Sequence, residues 1–206
     1  DHLPELQSLA REDRETMKAV SRVFPFRVNE YVVRELIDWE AAPEDPLFHL
    51  VFPQPGMLKP DQLSAMRQLM AEGASEEKLN QAAREIQLTL NLHPAGQKDL
   101  NVPWMDGEPL PGIQHKYRET VLFFPAAGQT CHSYCSYCFR WSQFAQPDRF
   151  RFESHEAESL VRYLRRHPEI SSILITGGDP LVMTTEVLRR YVEPLLDPSL
   201  EHIRSI

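Results

Sequence analysis

The residues of this sequence that are best suited to chemistry are its cysteines. All three, Cys131, Cys135 and Cys138, lie within one stretch of eight residues. So close a set does not make a disulfide framework, because pairing on one short loop is strained and leaves one thiol over. Three thiolates on one loop instead fit a [4Fe–4S] cluster whose fourth iron stays open to a further ligand. The alternatives are zinc bound by the cysteines with His132 or another histidine, or unrelated core cysteines.

A second motif follows further along the chain. Gly177, Gly178 and Asp179 come directly after the apolar run 172–175. Glycines let backbone groups approach a ligand closely, and a carboxylate pairs with an ammonium group. Alone, a Gly-Gly-Asp-Pro sequence is more often a mere turn. Its place one strand and one helix after the cysteines predicts that both motifs belong to one site.

The elements that must position these motifs are two strands and two helices. The runs 121–124 and 172–175 are short and continuously apolar, as in buried parallel strands. A helix predicted from about Ser154 and stopped by Pro168 joins them, and another follows the Gly-Gly-Asp turn. Such a crossover makes the strands parallel and adjacent, so both loops open at the edge where α/β proteins bind ligands.

The residues before these strands predict a helical region. Ser75 is a suitable N-cap for an amphipathic helix that reaches Leu90, and Pro60 suits the first turn of another. The prolines and glycines after His93 predict an extended linker. We therefore predict an α/β chain with a helical region at 1–92, a linker at 93–115 and βα units at 116–206.

Composition narrows the classes of partner. A formal net charge of -8 supplies no basic field for nucleic acid, and no apolar run approaches the ~20 residues of a membrane span. The first residues lack the features of a secretory signal. Closely spaced thiols also favour a reducing compartment. These features predict a cytoplasmic protein that acts on small molecules, without nucleic-acid or membrane partners.

The cysteine motif, with Tyr137 before its last cysteine, resembles the radical S-adenosylmethionine superfamily. A narrower resemblance, to the lysine 2,3-aminomutase family, rests on four short motifs. They are His115-Lys116-Tyr117, Cys138-Phe139-Arg140, His167-Pro168-Glu169-Ile170 and Gly177-Gly178-Asp179-Pro180-Leu181. This resemblance implies a partial (β/α)6 barrel, of which the chain holds the first βα units. It also implies a truncated chain, since the approach to a third strand at 202–206 is its last segment.

The resemblance implies roles for the matching residues. The three cysteines hold the cluster, and its open iron is chelated by S-adenosylmethionine. Tyr137 matches the aromatic residue that packs near the adenine of this cofactor. The residues matched to the methionyl amino group are Gly177, Gly178 and Asp179. Arg140 matches the arginine that receives the substrate α-carboxylate, and an exposed arginine in a surface ion pair is the alternative.

The implied activity is an aminomutase-like migration of an amino group between adjacent carbons of an amino acid. The implied cofactors are the [4Fe–4S] cluster, S-adenosylmethionine and pyridoxal phosphate. The implied partners are a small amino-acid substrate and a reductase or flavodoxin-type electron donor. The chain could also form a homo-oligomer. Lys116 and Thr120 stand where family arginines help to hold the phosphate, and the lysine that binds pyridoxal would lie beyond Ile206. The alternatives are radical modification of a lysine on a protein such as a translation factor, and a zinc-stabilised binding module without catalysis.

Overall fold

The computed structural model describes residues 3–90, 100–145 and 152–206. The chain divides into two compact units, one formed by residues 1–92 and 132–141 and the other by residues 93–131 and 142–206. The first part of the predicted linker, 93–99, lies outside the described residues.

Helices dominate the first unit. They are α1 (Arg11–Val23), α2 (Pro46–Val51), α3 (Pro60–Ala71) and α4 (Glu76–Thr89). The predicted starts are confirmed, because α3 begins at Pro60 and the Ser75 hydroxyl accepts a hydrogen bond from the Lys78 N–H at 3.3 Å. Val20 of α1 and Met66 of α3 are fully buried in a core that α4 shares. The amphipathic pattern of each helix thus becomes one face of a common core.

A buried glutamine ties two of these helices together. Gln87 of α4 donates from Nε2 to the carbonyl of Val23, the last residue of α1, at 2.6 Å. We expect Gln87→Met to lower the free energy of unfolding by about 1–2 kcal/mol, because the buried carbonyl loses its side-chain donor. Urea denaturation measures this change. Exposed Gln81 donates to Glu85 on its own helix, so Gln81→Met is the matched control. Equal losses from both variants would contradict the assignment.

Strands and their connections form the second unit. They are β1 (Trp104–Met105), β2 (Glu108–Pro109), β3 (Ile113–Tyr117), β4 (Thr120–Phe123) and β5 (Ser172–Ile175). The predicted parallel pair is confirmed, with Val121 of β4 opposite Ile173 of β5. β3 lies antiparallel on the other side of β4 and was not predicted. The fold class is therefore α/β, with a three-stranded sheet in order β3-β4-β5.

The segment predicted as a linker is folded where the structure describes it. Strands β1 and β2 pair antiparallel across Asp106 and Gly107, which have φ angles of 55° and 87°. Two adjacent residues at positive φ are typical of a type I′ hairpin turn, and Asp-Gly is a favoured sequence for it. Residues 104–109 thus form a short hairpin within the segment predicted as an extended linker, because Asp-Gly supplies the turn between two short strands.

Helices α5 (Trp141–Phe144), α6 (Glu158–Arg166) and α7 (Thr185–Val192) complete the set of α-helices described. Helix α6 begins later than predicted, since Ser154 instead forms a parallel bridge with Pro125. Another parallel bridge joins Ser172 to Ser205, which agrees with the predicted approach to a third strand. Short 3₁₀ turns cover Pro4–Ser8, Pro55–Met57, Ala126–Gly128, Pro180–Val182, Glu193–Leu196 and Pro198–Leu200, and a π-type turn covers Val32–Leu36.

The core of the second unit lies between its sheet and its helices. Phe123 of β4 and Ile173 of β5 pack with Leu160 and Leu164 of α6, all of them almost fully buried. Crossover helices that cover a parallel pair in this way fix the strand ends, and so the loops that follow them. Among residues 3–90, 100–145 and 152–206, no helix combines the length and apolar character that crossing a membrane requires.

Candidate functional site

Cys135 and Cys138 lie in a tight turn of the first unit. The Cys138 N–H donates to the Cys135 carbonyl at 3.1 Å, and the Trp141 N–H donates to the Cys138 carbonyl at 3.2 Å. Consecutive turns therefore fix the backbone that carries these two thiols. Cys131 belongs to the second unit, and all three cysteines are half-buried thiols.

The first unit holds the cysteine loop through backbone groups of its own. The Tyr134 N–H donates to the Arg27 carbonyl at 2.8 Å. Ser136 donates from its N–H to the Leu50 carbonyl and from its hydroxyl to the His49 carbonyl, both at 2.7 Å. Ser136 is not predicted from the sequence, because a hydrogen bond to a distant carbonyl leaves no trace in local residue spacing. The loop that carries Cys135 and Cys138 is thus anchored at several points.

Burial sets the electrostatics of this loop. Burial raises the pKa of the Cys138 thiol, and the Arg140 backbone N–H partly opposes that change. A metal ion that takes this sulfur as thiolate must therefore displace a firmly held proton. Burial also lowers the pKa of Arg140 to about 10, so its guanidinium remains protonated at neutral pH.

Arg140 is not the exposed surface residue of the alternative interpretation. Only 9% of its surface is exposed, and its guanidinium carbon lies 5.4 Å from the centre of the Phe139 ring. A buried charge of this kind is costly unless it is paired or serves a ligand. The proposed role of Arg140 toward a carboxylate stays a prediction.

Tyr137, between the two cysteines of the turn, is strongly exposed. Its exposed fraction is 76%, which is unusual for a tyrosine of a folded chain. An exposed aromatic face is suited to stack on a planar ligand such as a purine, at little cost to the core. The role of Tyr137 at an adenine is compatible with this exposure and stays a prediction.

The Gly-Gly-Asp loop packs against Thr130, the residue before Cys131, entirely within the second unit. The Asp179 N–H donates to the Thr130 carbonyl at 2.7 Å. A Cβ on Gly178 would overlap that carbonyl oxygen and lie 2.6 Å from the Thr130 nitrogen. Only glycine allows the two backbones to come this close. The parallel strands therefore bring the Gly-Gly-Asp loop beside the residue that precedes the first cysteine.

The carboxylate of Asp179 has one engaged oxygen and one that remains for a ligand. Its Oδ1 accepts a hydrogen bond from the Leu181 N–H at 2.9 Å and so caps the turn Pro180–Val182. Within the part of the chain that the structure describes, its Oδ2 accepts no hydrogen bond. This arrangement orients the side chain and leaves an acceptor that suits an ammonium group.

Gln129 also contacts the Gly-Gly-Asp loop and was missed by sequence reasoning. Its carboxamide lies against the backbone of Gly177, where an added Cβ would overlap it. The glycine at 177 and the glutamine two residues before the first cysteine are far apart in sequence. Only the parallel pairing of β4 with β5 makes them neighbours.

The thiols suit the predicted cluster by their chemistry. In the three described ranges, no three side chains of histidine, cysteine, aspartate or glutamate are arranged to hold a metal ion. The donor set itself consists of three half-buried thiols on one loop, and thiolates are the ligands that iron–sulfur clusters take. Zinc in a closed structural site would require a fourth protein ligand. Three thiols match a cluster that keeps one iron open, whereas zinc would need His132 or another histidine as well, and the choice of the cluster stays a prediction.

Lys116 and Thr120 do not fit pyridoxal phosphate in the same way. Lys116 on β3 is exposed, and its ammonium group lies 5.6 Å from the centre of the Tyr117 ring. Thr120 pairs with Ser172 within the sheet. Neither residue offers a buried amine for an imine or an arginine fork for a phosphate. No role in binding this cofactor is assigned to them.

Comparison with known proteins supports the resemblance drawn from the motifs, although no family model matches. A relative in Aquifex aeolicus is 27% identical over 201 residues, which are 98% of this chain and 42% of that protein. The L-lysine 2,3-aminomutase of Bacillus subtilis is 32% identical over 124 residues, 59% of this chain and 26% of its own length. The L-lysine 2,3-aminomutase of Haemophilus influenzae is 26% identical over 198 residues, 96% of this chain and 47% of its own length.

These matches cover different shares of this chain but fall in the same part of the relatives. The chain spans less than half of the length of the relatives compared here, and the matched portions are their N-terminal ones. The predicted resemblance is thereby confirmed: this chain is homologous to the N-terminal portion of proteins named L-lysine 2,3-aminomutase.

Proposed function

We propose that this chain binds a [4Fe–4S] cluster through Cys131, Cys135 and Cys138 and holds S-adenosylmethionine beside it. The observation that carries the proposal is the hydrogen bond from the Asp179 N–H to the Thr130 carbonyl, next to Cys131. It couples the ammonium-binding loop to the first ligand of the cluster. The similarity to aminomutases supports the same assignment.

In this proposal each group has a physical task. Gly178 lets the backbone come close to the methionyl end of S-adenosylmethionine, and Asp179 pairs with its ammonium group through Oδ2. Tyr137 stacks on the adenine, and Arg140 receives the carboxylate of the substrate. When bound, a reduced cluster would supply one electron, which breaks the sulfonium C5′–S bond of S-adenosylmethionine and gives methionine and a 5′-deoxyadenosyl radical.

The reaction that we propose for the protein is an aminomutase-like 1,2-migration on an amino acid. The names of the relatives favour a free amino acid over a lysine on a protein partner. Pyridoxal phosphate would bind through residues other than Lys116 and Thr120. A reductase or flavodoxin-type donor in the cytoplasm would supply the electron.

Anaerobic reconstitution with iron and sulfide tests this proposal. We expect about four irons and four sulfides per chain, with broad visible absorbance. Equilibrium dialysis should then show one S-adenosylmethionine bound per cluster, and reduction should yield 5′-deoxyadenosine. A chain that takes up zinc in a one-to-one ratio, and no iron, would support the binding-module alternative instead.

The charge of Asp179 can be tested apart from its structural role. Asp179→Asn keeps Oδ1 as the acceptor that caps 180–182 but removes the negative charge. We expect the dissociation constant for S-adenosylmethionine to rise about tenfold, because a charge-assisted hydrogen bond becomes a neutral one. Iron content and thermal stability should not change. A dissociation constant equal to that of the wild type would remove Asp179 from the site.

A further inference from the structure

The side chain of Gln129 bridges the ends of two adjacent parallel strands. Its Nε2 donates to the Pro125 carbonyl, beyond β4, at 3.0 Å and reaches the Thr176 carbonyl, beyond β5, at 3.4 Å. One carboxamide thus contacts both loops that the proposed function uses. All of these residues belong to the second unit.

The carboxamide also fills the space beside Gly177. A Cβ at position 177 would overlap both polar atoms of the amide and lie 2.6 Å from Cδ. Gly177 has a φ of 121°, a conformation that residues with a side chain rarely adopt. The glutamine therefore rests directly on the backbone of the Gly-Gly-Asp loop, at its first residue.

The other polar atom of the Gln129 carboxamide, Oε1, is a buried hydrogen-bond acceptor. Oε1 of Gln129 is buried and accepts no hydrogen bond among the described residues. A buried acceptor without a donor is unfavourable, and such atoms in folded proteins usually meet a ligand or a water molecule. Its neighbour at Gly177 is the first residue of the loop assigned to the methionyl ammonium group.

We infer that Gln129 is a positioning residue that sets the Gly-Gly-Asp loop for S-adenosylmethionine and accepts a hydrogen bond at Oε1 when the cofactor is bound. This inference rests on the proposed function of the site. Nε2 of Gln129 holds the ends of β4 and β5 at a fixed spacing. The backbone hydrogen bond from Asp179 to Thr130 keeps the two loops together beyond those ends. The geometry of the loop thus depends on a side chain outside both sequence motifs.

The test compares Gln129→Met with the wild type in the reconstituted holoprotein. Methionine keeps the length and volume of glutamine but can neither donate to the two carbonyls nor accept at the position of Oε1. We expect iron and sulfide contents equal to those of the wild type and an unchanged electron paramagnetic resonance spectrum of the reduced cluster. Titration with S-adenosylmethionine should then show a dissociation constant at least about tenfold higher.

Gln87→Met is the matched control. It makes the same substitution at a buried glutamine that also donates to a backbone carbonyl, within the helical first unit. It should lower stability and leave the titration with S-adenosylmethionine unchanged. A general loss of stability would affect both variants in the same manner, whereas a positioning role affects the titration only at position 129.

The outcomes separate this inference from the proposed function. If wild type and Gln129→Met bind S-adenosylmethionine equally, the inference is wrong and the proposed function stands. If the wild type holds its cluster but binds no S-adenosylmethionine, the proposed function fails and the inference fails with it. Should Gln129→Met not fold, Gln129→Asn decides by the same titration, because its shorter amide cannot reach Thr176 and the same rise is expected.

Discussion

Substitution of Cys135 by serine is expected to remove the iron–sulfur cluster from the protein. A serine hydroxyl does not ionise near neutral pH and is a hard oxygen ligand, so only two thiolates would remain for the irons. Iron and sulfide should fall from about four to less than about one per chain. Loss of the visible absorbance and of 5′-deoxyadenosine should accompany this fall. Iron and sulfide analysis after anaerobic reconstitution gives the result directly.

Ser136→Ala provides the control within the same loop. It removes the hydrogen bond from the hydroxyl to the His49 carbonyl but keeps the backbone bond to Leu50 and all three thiols. This variant should retain the full iron content. If Cys135→Ser retains about four irons, the cysteine assignment is wrong. If both variants bind zinc equally well and no iron, the site is neither a cluster nor a three-thiolate zinc centre.

Substitution of Gly178 by alanine is expected to have the second large effect. The added Cβ would overlap the Thr130 carbonyl oxygen, so the backbone of one of the loops must shift. Overpacking against a rigid neighbour typically costs about 1–3 kcal/mol, and we expect the free energy of unfolding to fall by this amount. The same shift would displace Asp179 and raise the dissociation constant for S-adenosylmethionine by about a hundredfold.

Gly56→Ala is the matched control for this substitution. A Cβ on Gly56 has no neighbour within 4 Å, so the stability should change by less than about 0.5 kcal/mol. Chemical denaturation and dialysis of S-adenosylmethionine against both holoproteins provide the comparison. Wild-type affinity in Gly178→Ala would show that the cofactor does not depend on the close packing of residues 130 and 178.

The parallel strands could be predicted because their signal is local. Two short apolar runs, each followed by a loop and a helix, are sufficient to place β4 beside β5. The antiparallel β3 was missed because Gln114, His115 and Lys116 lack a continuous apolar pattern. It pairs at the edge of the sheet, and its exposure increases along the strand from buried Ile113 and Gln114 to exposed Lys116 and Tyr117. Helix α6 starts late because Ser154 takes part in a bridge instead.

The site could be predicted only in part. The cysteines and the Gly-Gly-Asp loop stand out because each motif is contiguous in sequence. The bridge made by Gln129 joins segments that are distant along the chain, and the burial of Arg140 is likewise a property of the folded chain. Residue type alone does not reveal such contacts, since a glutamine in a loop is usually exposed.

The two glycines of the Gly-Gly-Asp loop differ in how far evolution could replace them. At Gly177 the obstacle to a side chain is the carboxamide of Gln129, together with the φ of 121°. A smaller residue at position 129 would remove the steric part of that obstacle. At Gly178 the obstacle is the main chain of Thr130, which every residue at position 130 possesses. No second-site side-chain substitution at position 130 can therefore compensate for the loss of Gly178.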